Sequence, residues 1–253
     1  TSATDFSGSG NIGTLQNSPT WIDGKIGKAI TFNGTNNYVG MGNLTSFNFG
    51  TGNFSYCAWV KTTSSTQGQI AGKDMWAYNS WGAYTNAGKV RFEIKIENPP
   101  GRGYYAETAT INDGVWHHVC GVYDRHASVS AYSDGVLANA TDISGDAAYS
   151  ITNTGSFNLG GIAAYFTGSI DEVRVYNRVL TQAEITKLYQ TTATAKVNTS
   201  QNTQSTSGLV GLWSFNGPDI SGTTATDRSG NGNNGTLGGS SIPTITEGRV
   251  ARL

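Results

Sequence analysis

Residues 3–15 read ATDFSGSGNIGTL and residues 225–237 read ATDRSGNGNNGTL, so one chain carries the opening of the same structural unit twice, about 222 residues apart. The likeness continues past the loop, because WIDGKIGKAI at 21–30 is echoed by TEGRVARL at 246–253. A repeat at this distance means tandem modules of domain size and excludes a short-period solenoid. The run GLVGLWSFNG at 208–217, just ahead of the second copy, has no counterpart before Thr1. The sequence therefore predicts a first module over 1–190 that lacks its usual first strand, and over 208–253 the opening strand and loop of a second, incomplete one.

Within the first module, apolar runs at 29–33, 37–41, 54–61, 67–71, 89–96, 104–110, 116–124, 128–133, 155–160 and 170–176 are separated by turn signals. That density predicts an all-β sandwich or barrel. Ser133-Asp134-Gly135 supplies a turn in which glycine accepts positive φ. One helix stands out: Thr181 followed by Glu184 is a capping-box pattern, and Ile185, Leu188 and Tyr189 form an apolar stripe over 182–190. The segment TTATAKVNTSQNTQSTS at 191–207 offers almost no apolar surface to bury and reads as a linker. Beyond it Leu209, Trp213 and Phe215 share one face of an extended run while Val210 and Leu212 take the other. This suits a strand covered on both sides, which left alone would be a sticky edge.

Only 13% of residues are charged, the net charge is −1, and 34 glycines fill the spaces between apolar runs. With no basic stripe to neutralise phosphates and no run of about 18 apolar residues, nucleic-acid binding and membrane insertion lose their physical basis. Low charge, the Thr/Ser-rich stretch and abundant asparagine fit a secreted or extracellular surface protein; the sequons at Asn33 and Asn43 matter only in a glycosylating host. Cys57 in FSYCAWVK and Cys120 in WHHVCGVYD lie on alternating, strand-like runs. Neighbouring strands would bring them within bridging distance; otherwise they are two small buried hydrophobes.

DxSGxGNxG at 5–13, GKIGKAITFNGTNNYV at 24–39, FSYCAWVK, WHHVCGVYD, YSDG at 132–135 and GSIDEVRVYNRVLTQAEITKLY at 168–189 together resemble the laminin-G-like (concanavalin A-like lectin/glucanase) modules of bacterial secreted and surface proteins. The resemblance implies a two-sheet antiparallel jelly-roll sandwich with one short C-terminal helix. Its opening strand, here of the type of 209–215, would pair near the closing strand at 170–176. It also implies a structural calcium joining the Gly-rich loop to an acid of the closing strand, which here gives Asp5, Asn11 and Asp171 as ligands. The loop alternates oxygen-bearing side chains with glycines, as a hard cation requires, yet one carboxylate is a poor cage, and the same residues can simply tie a tight turn.

Trp76, Tyr78, Trp81 and Tyr84 cluster in KDMWAYNSWGAYTNAG, and Tyr104-Tyr105 follow the loop NPPGRG. Trp76, Tyr78, Trp81, Tyr84 and Tyr104 are the candidate sugar-stacking rings, against the alternative that they are core or a contact surface for another subunit. No acid and base pair, nucleophile elbow or triad is readable, so catalysis is not expected. Two functions follow. The first is a non-catalytic adhesive or structural module in which Leu209, Trp213 and Phe215 fill the vacant strand position, in the same chain or in a neighbouring copy or module. The second is a lectin-like module that binds polysaccharide.

Overall fold

The computed structural model describes residues 2–3, 7–75, 77–98, 101–162, 164–193, 209–213, 220–221, 224–225 and 230–236. The strands begin with β1 (Ser2–Ala3), β2 (Ser7–Asn11), β3 (Gly13–Gln16), β4 (Thr20–Asp23), β5 (Lys28–Asn33), β6 (Tyr38–Gly40) and β7 (Phe54–Lys61). They continue with β8 (Gly68–Lys73), β9 (Ser80–Asn86), β10 (Lys89–Ile96), β11 (Arg102–Thr110), β12 (Trp116–Tyr123), β13 (Ser128–Ser133) and β14 (Val136–Asp142). Then come β15 (Phe157–Leu159), β16 (Thr167–Tyr176), α1 (Gln182–Ala193), β17 (Leu209–Trp213), β18 (Ile220–Ser221), β19 (Thr224–Ala225) and β20 (Gly230–Thr236).

Two large sheets form a jelly-roll sandwich. One runs β1-β3-β6-β15-β8-β9-β10-β11, the other β14-β13-β12-β7-β16-β5-β4 with β17 also on β16, and all their named pairs are antiparallel. A smaller sheet, β18-β19-β20-β2, sets 7–11 parallel to 230–234. The two copies of the repeated loop thus lie side by side.

Period-two alternation explains the layers. In β10, Val90, Phe92, Ile94 and Ile96 face the core, while Lys89, Arg91, Glu93 and Lys95 face away. The core is ring-rich: Phe54 stacks on Phe49 at 4.4 Å and on Tyr123 at 4.2 Å, with Trp81 5.0 Å from Phe54. At Gly121 any side chain would strike the Phe92 ring, so glycine lets the facing sheets approach.

A second cluster lies on the outer face of the β7–β12–β16 sheet, built from Cys57, Cys120, Val122, Tyr176, Leu180, Ile185, Leu188 and Leu209. Cys57 and Cys120 are direct cross-strand partners and are joined as a disulfide. The helix begins where its cap demands: the Thr181 amide donates to Glu184 Oε2 at 2.9 Å, and the Glu184 amide donates to Thr181 Oγ1 at 3.3 Å.

Strict alternation fails in the closing strand. Adjacent Asp171 and Glu172 should point to opposite faces, yet both are buried, because a register shift between Asp171 and Arg174 places Glu172 at φ 50°. The same bulge divides the outer edge of β16: β5 pairs with 167–170 and β17 with 173–176.

The strand at Ser80–Asn86, the short β3 and the edge strands β4 and β14 are absent from the strand runs expected from sequence. Glycine and asparagine in and around 80–86 mimic loop chemistry, and β14 is exposed at almost every position, so it has no alternation to read.

His118 is fully buried, with its ring 5.4 Å from Trp59 and its Nδ1 without a hydrogen-bond partner. Burial, aided by Arg174, pushes its pKa down to about 3. Below about 6.5 the unfolded chain takes up a proton that the folded chain refuses, so stability falls with falling pH at up to about 1.4 kcal/mol per unit. His117 works in a separate window: hydrogen bonds to Asp134 and Asp113 outweigh burial and raise its pKa, so its contribution is lost only as pH rises. Denaturant titrations between about pH 6.5 and 4 should show a shallower decline for His118→Phe than for the parent; equal slopes would contradict a neutral buried His118.

Candidate ligand cleft and the placement of the site residues

The free edge of β11 and strand β14, from opposite sheets, meet along one flank, where Thr141 Oγ1 donates to the Tyr105 carbonyl at 2.7 Å. Between them lies a cleft of about 710 Å³ lined by Lys89, Tyr104, Tyr105, Glu107, Asn139 and Thr141, among others. Alternation along β11 aims Ala106 and Thr108 inward, which turns Tyr105 and Glu107 outward.

Tyr105 is 43% exposed, and one face of its ring is taken by the Arg91 guanidinium, 3.7 Å from the ring centroid. That guanidinium is itself fixed: its Nε and Nη2 donate to Glu107 Oε1 at 2.9 and 2.7 Å. Glu107 is consequently held below the usual carboxylate range; burial opposes this shift but the Arg91 hydrogen bond and charge prevail. Arg91 thus stiffens a partly exposed ring on the cleft wall. Lys89, Asn139 and Thr141 add donors and acceptors around it.

Tyr104 turns toward the interior. Its hydroxyl donates to Asp146 Oδ2 at 2.8 Å, and the buried Asp146 also accepts from Asn98 Nδ2 at 2.7 Å. This ties Asn98, just past β10, and Tyr104, near the start of β11, to the 144–146 turn.

The expected aromatic surface separates into three parts. Trp81 is 1% exposed and belongs to the ring cluster of the core, and Tyr84 is 4% exposed, packed beneath Arg91, with burial and Glu93 raising its pKa to about 12. Both are corrected from ligand rings to packing residues, because strand β9 holds them within the sheet. Tyr78 is 52% exposed but outside the cleft, its ring lying over Gly101, whose φ of 86° and missing side chain make room for it. Trp76 lies outside the described residues. Tyr104 lines the cleft wall, and its neighbour Tyr105, which is not among the candidate rings, is the exposed one.

Of the candidate calcium ligands, Asp5 lies outside the described residues. Asn11 is buried, its Oδ1 accepting from Ser46 Oγ at 3.3 Å. Asp171 serves a different network: its Oδ2 accepts the Ile26 amide at 3.0 Å and its Oδ1 the Glu172 amide at 2.8 Å. Burial and the neighbouring Glu172 push its carboxyl well above the usual range. Each carboxylate oxygen of Asp171 thus already accepts one backbone amide, which ties the closing strand to the 24–27 turn. Among the described residues the one cluster of three metal-binding side chains is Cys57, His118 and Cys120, and its two sulfurs are bonded to each other. Of the assembly strand, Leu209 is buried, Trp213 is opposite Val173 in the ladder, and Phe215 lies outside the described residues. Chelation with EDTA tests the calcium expectation: a drop of several degrees in melting temperature relative to added calcium supports a bound ion, and a change within about 1 °C contradicts it.

Among solved structures, the fold is similar to the binding domain of Paraclostridial Mosquitocidal Protein 1, with TM-score 0.57 and 16% identity over 70% of this chain and 47% of that one. It is also similar to the botulinum neurotoxin serotype G binding domain, with TM-score 0.57 and 17% identity over 74% and 50% of the two chains. The chain spans about half the length of these toxin domains. Domain 4 of AbnA, a GH43 extracellular arabinanase from Geobacillus stearothermophilus, solved with arabinotriose, gives TM-score 0.55 and 20% identity over 75% of this chain and 98% of that domain. At these identities the likeness establishes the fold. Comparison with curated protein sequences gave no match. The family model described as concanavalin A-like lectin/glucanases superfamily matches residues 33–186, more than half of the chain, which therefore belongs to that superfamily.

Proposed function

We propose that this chain is a non-catalytic, secreted carbohydrate-binding module, and that polysaccharide lies in the β11/β14 cleft with a sugar ring stacked on Tyr105. The observation that carries the reading is the Tyr105 ring, backed by Arg91, 43% exposed and lining the cleft. A sugar offers a flat C–H face ringed by hydroxyls, and the cleft offers an aromatic face ringed by Lys89, Asn139 and Thr141. The arabinotriose bound to the AbnA domain supports a sugar as the ligand class, since the same fold carries it there.

The chemistry of the cleft supports binding without turnover. Glu107 is its lining carboxylate, and the Arg91 hydrogen bonds that hold its pKa low remove it as a general acid near neutral pH. The Cys57–Cys120 disulfide supports an oxidising, extracellular setting. Adhesion of the host protein to a glycan surface follows from such a module.

Tyr105→Ala should weaken binding to the best of a panel of arabinans, xylans and glucans by about tenfold, close to 1.4 kcal/mol, with an unchanged melting temperature in calorimetry. Trp81→Ala is the contrast: it should cost about 3–5 kcal/mol of stability and leave the affinity of the folded fraction alone. Undiminished binding by Tyr105→Ala, or no binding to any member of the panel by the parent, would overturn the reading.

A further inference from the structure

We propose that β17 is exchangeable between copies of this chain, so that one molecule's Leu209–Trp213 completes a neighbour's sheet beside β16. The occupant is a second copy, and four observations lead to it.

First, the edge that receives β17 belongs wholly to the body. Residues 173–176 offer the ladder, with Val173 opposite Trp213, Arg174 opposite Leu212, Val175 opposite Gly211 and Tyr176 opposite Leu209. Every copy presents the same edge. Second, the register is chemically specified, because Leu209 is buried in the outer cluster with Cys57, Cys120, Tyr176, Leu180, Ile185 and Leu188. A slip by one residue would turn Leu209 to the opposite face. Third, the segment carries a second attachment: β20 pairs in parallel with β2, setting 230–234 beside 7–11. The two copies of the sequence repeat are 222 residues apart and the ladder partners 223, so like residues lie almost abreast.

Fourth, residues 194–208 join α1 to β17 with a sequence poor in apolar side chains, ATAKVNTSQNTQSTS from 193 onward up to 207. Fully extended, about 15 residues reach about 50 Å, more than the thickness of a two-sheet sandwich. Contacts made within a chain and between chains are then identical in kind. Their balance is set by the effective concentration that the connecting segment imposes, typically in the millimolar range for a connection of this length. Raising the protein concentration toward that value shifts pairing from within chains to between them. Reciprocal exchange gives a closed pair, and one-way donation gives an open head-to-tail series.

The test uses the register. Full-length Val175→Cys and Gly211→Cys variants are unfolded, mixed, refolded together at about 1 mM and oxidised in air, with the double variant refolded at about 1 µM as the within-chain reference. Exchange is expected to give a disulfide-linked species of twice the chain mass in the mixture, in a fraction that rises with concentration. It is overturned if the mixture yields no such species while the double variant closes within its own chain at both concentrations. It is also overturned if the double variant closes nowhere. Should either variant fail to fold, the parent refolded at about 1 µM and about 1 mM and sized by light scattering decides: mass above the monomer only at the higher concentration upholds exchange, and monomer at both refutes it. Tyr105→Ala added to either variant should leave the cross-link unchanged, so this result stands apart from sugar binding.

Discussion

Strand β16 is the element on which the sandwich depends, and its outer edge is shared between two strands distant in sequence. Along one side it pairs with β7 through both halves; along the other, β5 takes 167–170 and β17 takes 173–176. The change of partner falls at the Asp171–Glu172 bulge. There Asp171 accepts the amides of Ile26 and Glu172, while Glu172 accepts Arg174 Nη2 at 2.6 Å. Two buried carboxylates are costly unless their lone pairs are met. In this strand they are met by the backbone of the 24–27 turn and by an arginine two residues on, so the bulge clamps the β4–β5 hairpin to the closing strand.

From that strand the architecture extends in two directions. On its outer face the disulfide, α1 and Leu209 form a small second core. On the inner face Val173 and Val175 join the main core, whose far side is the β8–β11 sheet. The far edge of that sheet, β11, faces β14 across the flank and leaves the candidate cleft. The cleft is thus remote from the keystone strand and is held by different means: Asp146 under Tyr104, and Arg91 between Tyr105 and Glu107.

Much of this was legible in the residues. Alternation in KVRFEIKI, FSYCAWVK and WHHVCGVY gave the strands, and the same alternation set Cys57 opposite Cys120 once the two strands paired, although the bridge itself remained one of two readings. The capping box at Thr181 and Glu184 placed the helix. Aromatic density misled at Trp81 and Tyr84, because Gly82 and the flanking asparagines look like a loop while tertiary packing makes a strand. Tyr105 could have been chosen over Tyr104 by period two alone, since the inward Ala106 fixes the parity of β11. The bulge at Glu172 has no local signature, since nothing in the IDEV run marks a positive φ at a glutamate. Nor does sequence say which chain's 209–213 meets 173–176, because the contacts are the same in either case.

Amide hydrogen exchange on the intact chain, followed by mass spectrometry of peptides spanning 167–176, tests the keystone most directly. The 173–176 amides should exchange as slowly as those at 167–170, and in a chain ending at Gln190 the amides of 173–176 that face β17 should lose protection while those bonded to β7 keep it. Rapid exchange at 173–176 in the intact chain, or unchanged protection after truncation, would contradict the completion of the sheet by Leu209–Trp213.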